Sequence, residues 1–164
     1  MDKYIKKAKE IIESNIYCTI ATTTLDGKPW ISPVFFTYDN KYNLYWVSNK
    51  DSKHSTLIRN NPQVAIVIFD SKAPEGQGDG VYFESVASEL TDKSEISHVM
   101  KLLNKRVTKD EFRVKSVESV TNGGVWRIYK AIPNKISKLT DGEYINGQYI
   151  DKRIDINLDN GDEN

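Results

Sequence analysis

The stretch YCTIATTTLDGKPWISPVFFTY, residues 17–38, decides the fold. Its first part alternates in polarity and is rich in Thr and β-branched residues, which is typical of a strand. The segment LDGKP then supplies an Asp-Gly turn, and WISPVFFTY continues as a second strand, so the stretch predicts an antiparallel hairpin. Pro33 has no N–H group for a neighbouring strand, so we expect a free edge or a bulge at this residue.

The rest of the chain predicts more strands of the same kind. LYWVSN, QVAIVIF and VYFESVASEL predict strands three to five, and VWRIYKAIPNKISKL predicts a long sixth strand, broken near Pro133. QVAIVIF is apolar at nearly every position, so we expect both of its faces to be covered. Six short strands, the first three joined by tight hairpins, favour a mainly-β fold, a small antiparallel barrel. A barrel that opens at Pro33 would leave backbone groups free for a ligand.

Three segments predict helices at the periphery of this barrel. MDKYIKKAKEIIESN has the apolar spacing of an amphipathic helix. DSKHSTLIRN predicts a short helix that ends near Asn61, because Pro62 disfavours helical geometry in the residue before it. KSEISHVMKLLNKR predicts a third helix, capped by Thr91 or Asp92.

Length, charge and cysteine content limit the class of protein. The chain has 164 residues and 38% hydrophobic residues, which favours one domain, residues 1–154, followed by a polar acidic tail, residues 155–164, that we expect to fray. Lys plus Arg and Asp plus Glu both count 23, so no net field attracts nucleic acid or an anionic membrane. No apolar run approaches the roughly 20 residues of a membrane span, and we expect a cytoplasmic protein. Cys18 is the only cysteine, so a disulfide within the chain and a thiolate metal cluster are excluded, and we predict no metal site.

The short helix carries Lys53 and His54 in its first turn, where the helix dipole disfavours cations. Asp51 or Ser52 can cap this helix, and the free amides of the first turn form an anion receptor that the two basic residues would strengthen. The alternative is that Lys53 is solvated and His54 only packs.

The segments TIATTTLDGKPWISPVFF, LYWVSN, DSKHSTLIRNNP, QVAIVIF and GVYFESVASEL, in this order and spacing, resemble the pyridoxamine 5′-phosphate oxidase-related family of FMN-binding split barrels. The resemblance covers roughly residues 15–140. It implies a six-stranded antiparallel split β-barrel, and a homodimer with two FMN sites, each assembled at the subunit interface.

The resemblance also implies the residues of the cofactor site. The family's phosphate motif falls on Ser52, Lys53 and His54, although the family more often has Arg or Lys at the last position. Ser48 matches a hydroxyl residue that touches the phosphate or the ribityl chain. The strand residues assigned to the site are Ser32, Pro33, Val34, Trp46 and Val47. For Val34 and Trp46 the alternative is plain core packing, and for Ser32 it is a solvated strand hydroxyl.

Departures from the family pattern bear on the substrate. Ser32 stands where the vitamer oxidases have Arg, Gly80 replaces a Gln, and the C-terminal segment has no Arg-x-His. We therefore expect an FMN-dependent oxidoreductase that acts on an unknown small substrate and not a true pyridoxine phosphate oxidase. No catalytic acid–base pair is predicted, since His98 is more typical of a surface or packing position.

Two other classes of function remain open at this stage. The first is a non-catalytic binder or sensor of FMN, deazaflavin F420 or haem on the same fold. The second is a small barrel of the oligonucleotide-binding type. The strands that carry its aromatic residues hold only Lys28, so the basic face that such a barrel needs is missing.

Overall fold

The computed structural model describes residues 1–121 and 123–159. In these residues the helices are α1 (Asp2–Ser14), α2 (Lys53–Asn60) and α3 (Lys93–Arg106). The strands are β1 (Tyr17–Thr23), β2 (Pro29–Tyr38), β3 (Leu44–Asn49), β4 (Gln63–Phe69), β5 (Gly80–Glu89), β6 (Trp126–Leu139), β7 (Glu143–Ile145), β8 (Gln148–Ile150) and β9 (Arg153–Asp155). None of the helices in these residues is long and apolar enough to cross a bilayer.

Strands β1 to β6 close into an antiparallel barrel. The strand order is β3-β2-β1-β4-β5-β6, and an additional pairing of β3 with β6 completes the ring. The predicted hairpin forms as expected, with Cys18 opposite Val34 in the β1–β2 register. The predicted fold, a six-stranded antiparallel barrel with peripheral helices, is confirmed.

The barrel opens along one edge of β2. Strand β2 pairs with β1 from Pro29 to Phe35, but it pairs with β3 only from Phe36 to Tyr38. Pro33 lies in the segment that has left β3, so its missing N–H disturbs no ladder on that side. The predicted free edge at Pro33 is confirmed, and it forms the split of the barrel.

Apolar side chains fill the barrel and a second layer outside it. The interior cluster includes Ile20, Phe36, Trp46 and Phe83, and α1 packs its apolar face against the same cluster. Helix α3 covers the outer side of β3 and β6, where its apolar side chains join the second cluster. The side chain of Asp92 caps α3 by accepting a hydrogen bond from the Glu95 amide at 2.7 Å.

Strand β6 is interrupted where the sequence predicted a break. Its register with β5 shifts between Glu84 and Ser85, whose partners are Lys135 and Pro133. The residue between these partners, Asn134, is therefore extra and forms a β-bulge. The shift lets Pro133 lie in a long strand without a missing bond in the regular ladder.

The expected coverage of both β4 faces is wrong for the single chain. Residues alternate along β4, and Ala65 and Phe69 are exposed on the outer side, Phe69 to 43%. Only the inner side of β4 packs in the barrel, through Val64, Ile66 and Ile68. Composition predicted burial correctly on the inner side, but it could not show that, within residues 1–121 and 123–159, the outer side stays exposed at Ala65 and Phe69.

The structure places residues 155–159 of the predicted tail against the barrel. Strand β9 pairs with the end of β6, and the Ile156 amide donates to the Ile136 carbonyl at 2.9 Å. Ile156 and Leu158 are buried members of the interior cluster. Two buried apolar residues in an otherwise polar segment therefore help to close the core. Residues 160–164 of the predicted tail lie outside the described residues.

Candidate functional site

The N-terminus of α2 lies at the end of β3, the strand from which β2 separates. Ser52 is the N-cap, as predicted, and its side chain accepts a hydrogen bond from the Ser55 amide at 3.4 Å. Lys53 and His54 contribute the first amides of the helix, which have no carbonyl of a preceding turn to bond. Ser55, Leu57 and Ile58 are buried and fix the helix on the barrel. The free amides are therefore held in a rigid position.

Two serine hydroxyls contact the imidazole of His54, and a third serine extends the network through Ser52. Its Nε2 atom lies 2.8 Å from the Ser48 Oγ and 3.2 Å from the Ser52 Oγ. The Ser52 hydroxyl in turn donates to the Ser55 Oγ at 2.8 Å. Burial lowers the pKa of His54, so the neutral imidazole is favoured in the free protein. The structure thus brings three of the predicted site residues, Ser48, Ser52 and His54, into one hydrogen-bonded cluster.

Lys53 lies on the other side of the helix start, against β2. Its Nζ atom is 4.0 Å from the centre of the Trp30 ring, and the Trp30 Nε1 donates to the Ser32 Oγ at 3.0 Å. Ser32 is therefore not simply a solvated hydroxyl. The structure connects Lys53 with Ser32 through Trp30, a residue that the sequence pattern did not assign to the site.

The first turn of α2 is electrostatically positive. In this helix, which the structure describes in full, the first turn carries Lys53 and His54 and no acidic residue. The amides at the same end add a partial positive charge. An anion with several oxygen atoms, such as a phosphate group, matches this set of donors.

The other predicted strand residues lie in different surroundings. Val34 and Trp46 are buried in the interior cluster, as in the alternative that the sequence left open. Val47 is half-buried on the opposite side of β3 and packs against the cluster below α3. Pro33 is exposed on the free edge of β2. Of these four, Pro33 alone is open to a ligand in the single chain.

Two buried aromatic residues stack behind the serine–histidine cluster. Trp46 and Tyr129 are cross-strand partners in β3 and β6, with ring centres 5.7 Å apart and planes at 15°. The Trp46 Nε1 and the Tyr129 hydroxyl have no hydrogen-bond partner among the described residues. Burial raises the pKa of Tyr129, so its hydroxyl stays protonated. Tyr129 is thus core, whereas Trp126, at the start of the same strand, is exposed.

A closed barrel that splits beside a helix N-terminus with this donor set defines the chain as a split-barrel protein. The family model described as pyridoxamine 5′-phosphate oxidase matches residues 4–128. The chain therefore belongs to this family, and the resemblance stated from the sequence is confirmed.

Known proteins of similar sequence or structure agree with this membership. A UPF0306 protein of Pasteurella multocida is 22% identical over 153 residues, which cover 90% of this chain and 95% of that protein. HutZ, the haem storage protein of Vibrio cholerae, is 18% identical and has a TM-score of 0.66, with 80% of this chain and 91% of HutZ covered. An FAD-binding protein of Mesorhizobium loti is 19% identical and has a TM-score of 0.60, with 81% and 91% covered. Identities this low show a shared fold alone.

Proposed function

We propose that the protein binds FMN at the start of α2 and along the free edge of β2, and that it is a flavin-dependent oxidoreductase acting on a small substrate. The observation that carries the proposal is the donor set of Ser52, Lys53 and His54 at the point where the barrel splits. Membership of the family supports it, and so does the fold shared with an FAD-binding protein.

The residues present fit the phosphate end of FMN. A phosphate dianion would accept hydrogen bonds from the Ser52 hydroxyl, the Lys53 ammonium and the free amides of the first helical turn. The Ser52 hydroxyl and the Lys53 ammonium are held beside the helix start in the free protein, because Ser52 caps the helix and Lys53 lies against the Trp30 ring. The exposed Pro33 and the unpaired backbone of β2 would offer a flat apolar edge and hydrogen-bonding groups to the ring system.

FMN, when bound, would supply the hydride and electron transfer chemistry that the side chains lack. The chain's own residues would bind and orient it. Lys53 and the helix amides would fix the phosphate, and the Ser48–His54 pair would contact the same end. No acid–base pair has been identified at the site, so the substrate and the electron donor are left open, and we do not propose pyridoxine phosphate oxidation.

A non-catalytic binder is the second candidate. The fold shared with a haem storage protein favours it, and haem, a deazaflavin or FMN itself would be the bound group. The sequence offers two histidines as haem ligands, and one of them, His54, is held by two serine hydroxyls. We prefer FMN because His54 and its neighbours form a set of small donors rather than an apolar cavity with a free imidazole.

An absorbance spectrum of the purified protein tests the proposal directly. The protein should be incubated with FMN, passed through gel filtration and measured again, with haem and a deazaflavin in parallel samples. Flavin bands that elute with the protein would support the cofactor assignment, and oxidation of reduced nicotinamide by the loaded protein would then separate an oxidoreductase from a binder. Protein that retains haem but not FMN would contradict our preference.

The exposed side of β4 supports a homodimer. Cross-strand registers place Ile31, Ala65 and Ile132 on the outer side of the barrel, and Phe69 lies on the same side; we call these residues the β4 face. Ile31 is 64% exposed, and the outer side of the barrel is apolar at these positions, with the exposed Glu84 opposite Ala65 in the β4–β5 register. Exposed apolar residues on several neighbouring strands are typical of an interaction site. A second copy of the chain would cover the outer side of β4 and account for the apolar composition of that strand.

Ile31→Glu should therefore shift the protein from dimer to monomer. A buried carboxylate without a partner opposes association strongly, because it must lose its hydration. Light scattering coupled to gel filtration would report the mass of one chain instead of two. Leu25→Glu, on the exposed β1–β2 turn outside the β4 face, is the control and should stay dimeric. Wild-type protein with the mass of one chain would contradict the proposed homodimer.

FMN affinity should depend on the protonation of His54. Burial lowers the pKa of this residue below its ordinary value of 6.5 in the free protein, and a neighbouring phosphate dianion would raise it. Binding therefore takes up a proton, and affinity should rise as the pH falls towards the free-protein pKa of His54. FMN titrations between about pH 8 and 6 would measure this trend.

His54→Gln separates the effect of the histidine from the titration of the phosphate itself, whose second pKa is about 6. The variant should lose the increase in affinity and keep only the decrease caused by protonation of the phosphate. Parallel pH profiles for the wild type and His54→Gln would show that His54 stays neutral and only packs.

The cytoplasmic location expected from the sequence stays a prediction. The identity of the small substrate is not predicted.

A further inference from the structure

Trp30 holds a position in the site that the phosphate motif does not explain. It lies on the segment of β2 that has separated from β3, and its side chain is 41% exposed. Its indole ring contacts the Lys53 ammonium and its indole N–H contacts the Ser32 hydroxyl, and we assign both of these residues to the candidate site.

The contact between Lys53 and Trp30 has the geometry of a cation–π interaction. The Nζ atom is 4.0 Å from the ring centre, well within the range of about 6 Å in which the ring attracts an ammonium group. The ring face covers one side of the ammonium only. The N–H groups on its other side stay available to an anion.

The indole ring is itself fixed. The Trp30 Nε1 donates to the Ser32 Oγ at 3.0 Å, and the backbone of Trp30 pairs with Thr22 of β1. Thr22 adds a second link between β1 and Trp30, because its hydroxyl donates a hydrogen bond to the Trp30 carbonyl at 3.2 Å. Trp30 is thus a rigid surface for the flexible side chain of Lys53.

We propose that Trp30 is a positioning residue of the phosphate site: with Ser32, it holds the Lys53 ammonium beside the start of α2, ready for the phosphate of the cofactor. This inference rests on the proposed function. Lysine has a long side chain with many rotamers, and ordering it on binding lowers affinity. A ring that orders Lys53 in the free protein removes part of that cost.

The test compares FMN with riboflavin, which has the same ring system without the phosphate. Trp30→Leu should weaken FMN binding by about two- to fivefold, the range expected for an exposed cation–π contact, and should leave riboflavin binding unchanged. Trp30→Phe, which keeps an aromatic face, should bind FMN more tightly than Trp30→Leu. Phe112→Leu, which removes an exposed aromatic side chain from the segment between α3 and β6, is the control and should bind FMN as the wild type does.

A double-mutant cycle with Lys53→Met shows whether Trp30 acts through Lys53. In the Lys53→Met background, Trp30→Leu should no longer weaken FMN binding. In the free protein, the Lys53 ε-methylene protons should show a ring-current shift that disappears in Trp30→Leu, which checks the contact without any cofactor. Urea unfolding of each variant at one protein concentration separates loss of affinity from loss of fold.

Each other result overturns the inference. If Trp30→Leu weakened FMN and riboflavin binding equally, Trp30 would contact the ring system of the flavin. If Trp30→Leu still weakened FMN binding in the Lys53→Met background, Trp30 would not act through Lys53. Unchanged FMN affinity in Trp30→Leu would overturn the inference while the proposed function stands. Wild-type protein that does not bind FMN would overturn both.

Discussion

Replacing Lys53 with Met should weaken FMN binding by about 1.5–3 kcal/mol, or roughly 10- to 150-fold, because it removes a charge-assisted hydrogen bond to the phosphate. Met keeps most of the aliphatic part of the side chain and its contact with the Trp30 ring, so the change removes the charge with little loss of packing. The measurement is a fluorescence titration of FMN at fixed ionic strength, since salt screens such contacts.

Two comparisons make the result specific to the phosphate. Riboflavin should bind Lys53→Met and the wild type equally, because it has no phosphate to contact. Lys50→Met removes the same charge three residues earlier, where Lys50 is paired at 3.7 Å with Asp51, and should change FMN affinity only slightly. Wild-type affinity of Lys53→Met for FMN would show that the anion receptor at the start of α2 does not hold the phosphate.

Local signals in the sequence were sufficient for the barrel and for the start of α2. The Asp-Gly turn and the alternating residues on either side define the first hairpin, and Ser52 followed by the break at Pro62 defines a short capped helix. These features depend on residues close together in the chain. The residues that the family resemblance assigns to the phosphate also lie close together in the chain.

Features that depend on distant residues could not be found in this way. Trp30 looks like one aromatic among several in β2, and its role appears only when the fold brings Lys53 of α2 over its ring. The family resemblance assigned Val47 to the site, and the pleat of β3 turns its side chain to the other side, against the cluster below α3. Neighbours along a strand do not share a face.

The C-terminal hairpin of β7 and β8 is different, because a local signal for it was present. The residues EYINGQYI contain an Asn-Gly pair between short runs with aromatic residues, which is a strong hairpin signal. Asn146 and Gly147 have positive φ angles of 50° and 79°, as a two-residue hairpin turn requires.

Leu158→Ala should lower the free energy of unfolding by about 2–5 kcal/mol, the range for removing a large apolar side chain from a packed core. Leu158 is 1% exposed and belongs to the interior cluster, beside Ile156 and the end of β6. Urea unfolding, with all proteins at one concentration because a dimer would make stability depend on it, measures the difference. The matched control is Leu25→Ala, which removes the same atoms from a side chain that is 82% exposed and should change stability by less than about 0.5 kcal/mol.

The size of the Leu158 effect decides whether the C-terminal segment is part of the folded domain. If residues 155–159 frayed in solution, as their polar composition predicted, Leu158→Ala would behave like Leu25→Ala. A loss in the expected range, with an unchanged denaturant dependence, would mean that the segment unfolds together with the barrel. Ile156 and Leu158 would then stabilise the barrel as the residues of β6 do, since a segment belongs to a domain by the apolar surface that it buries and not by its charge.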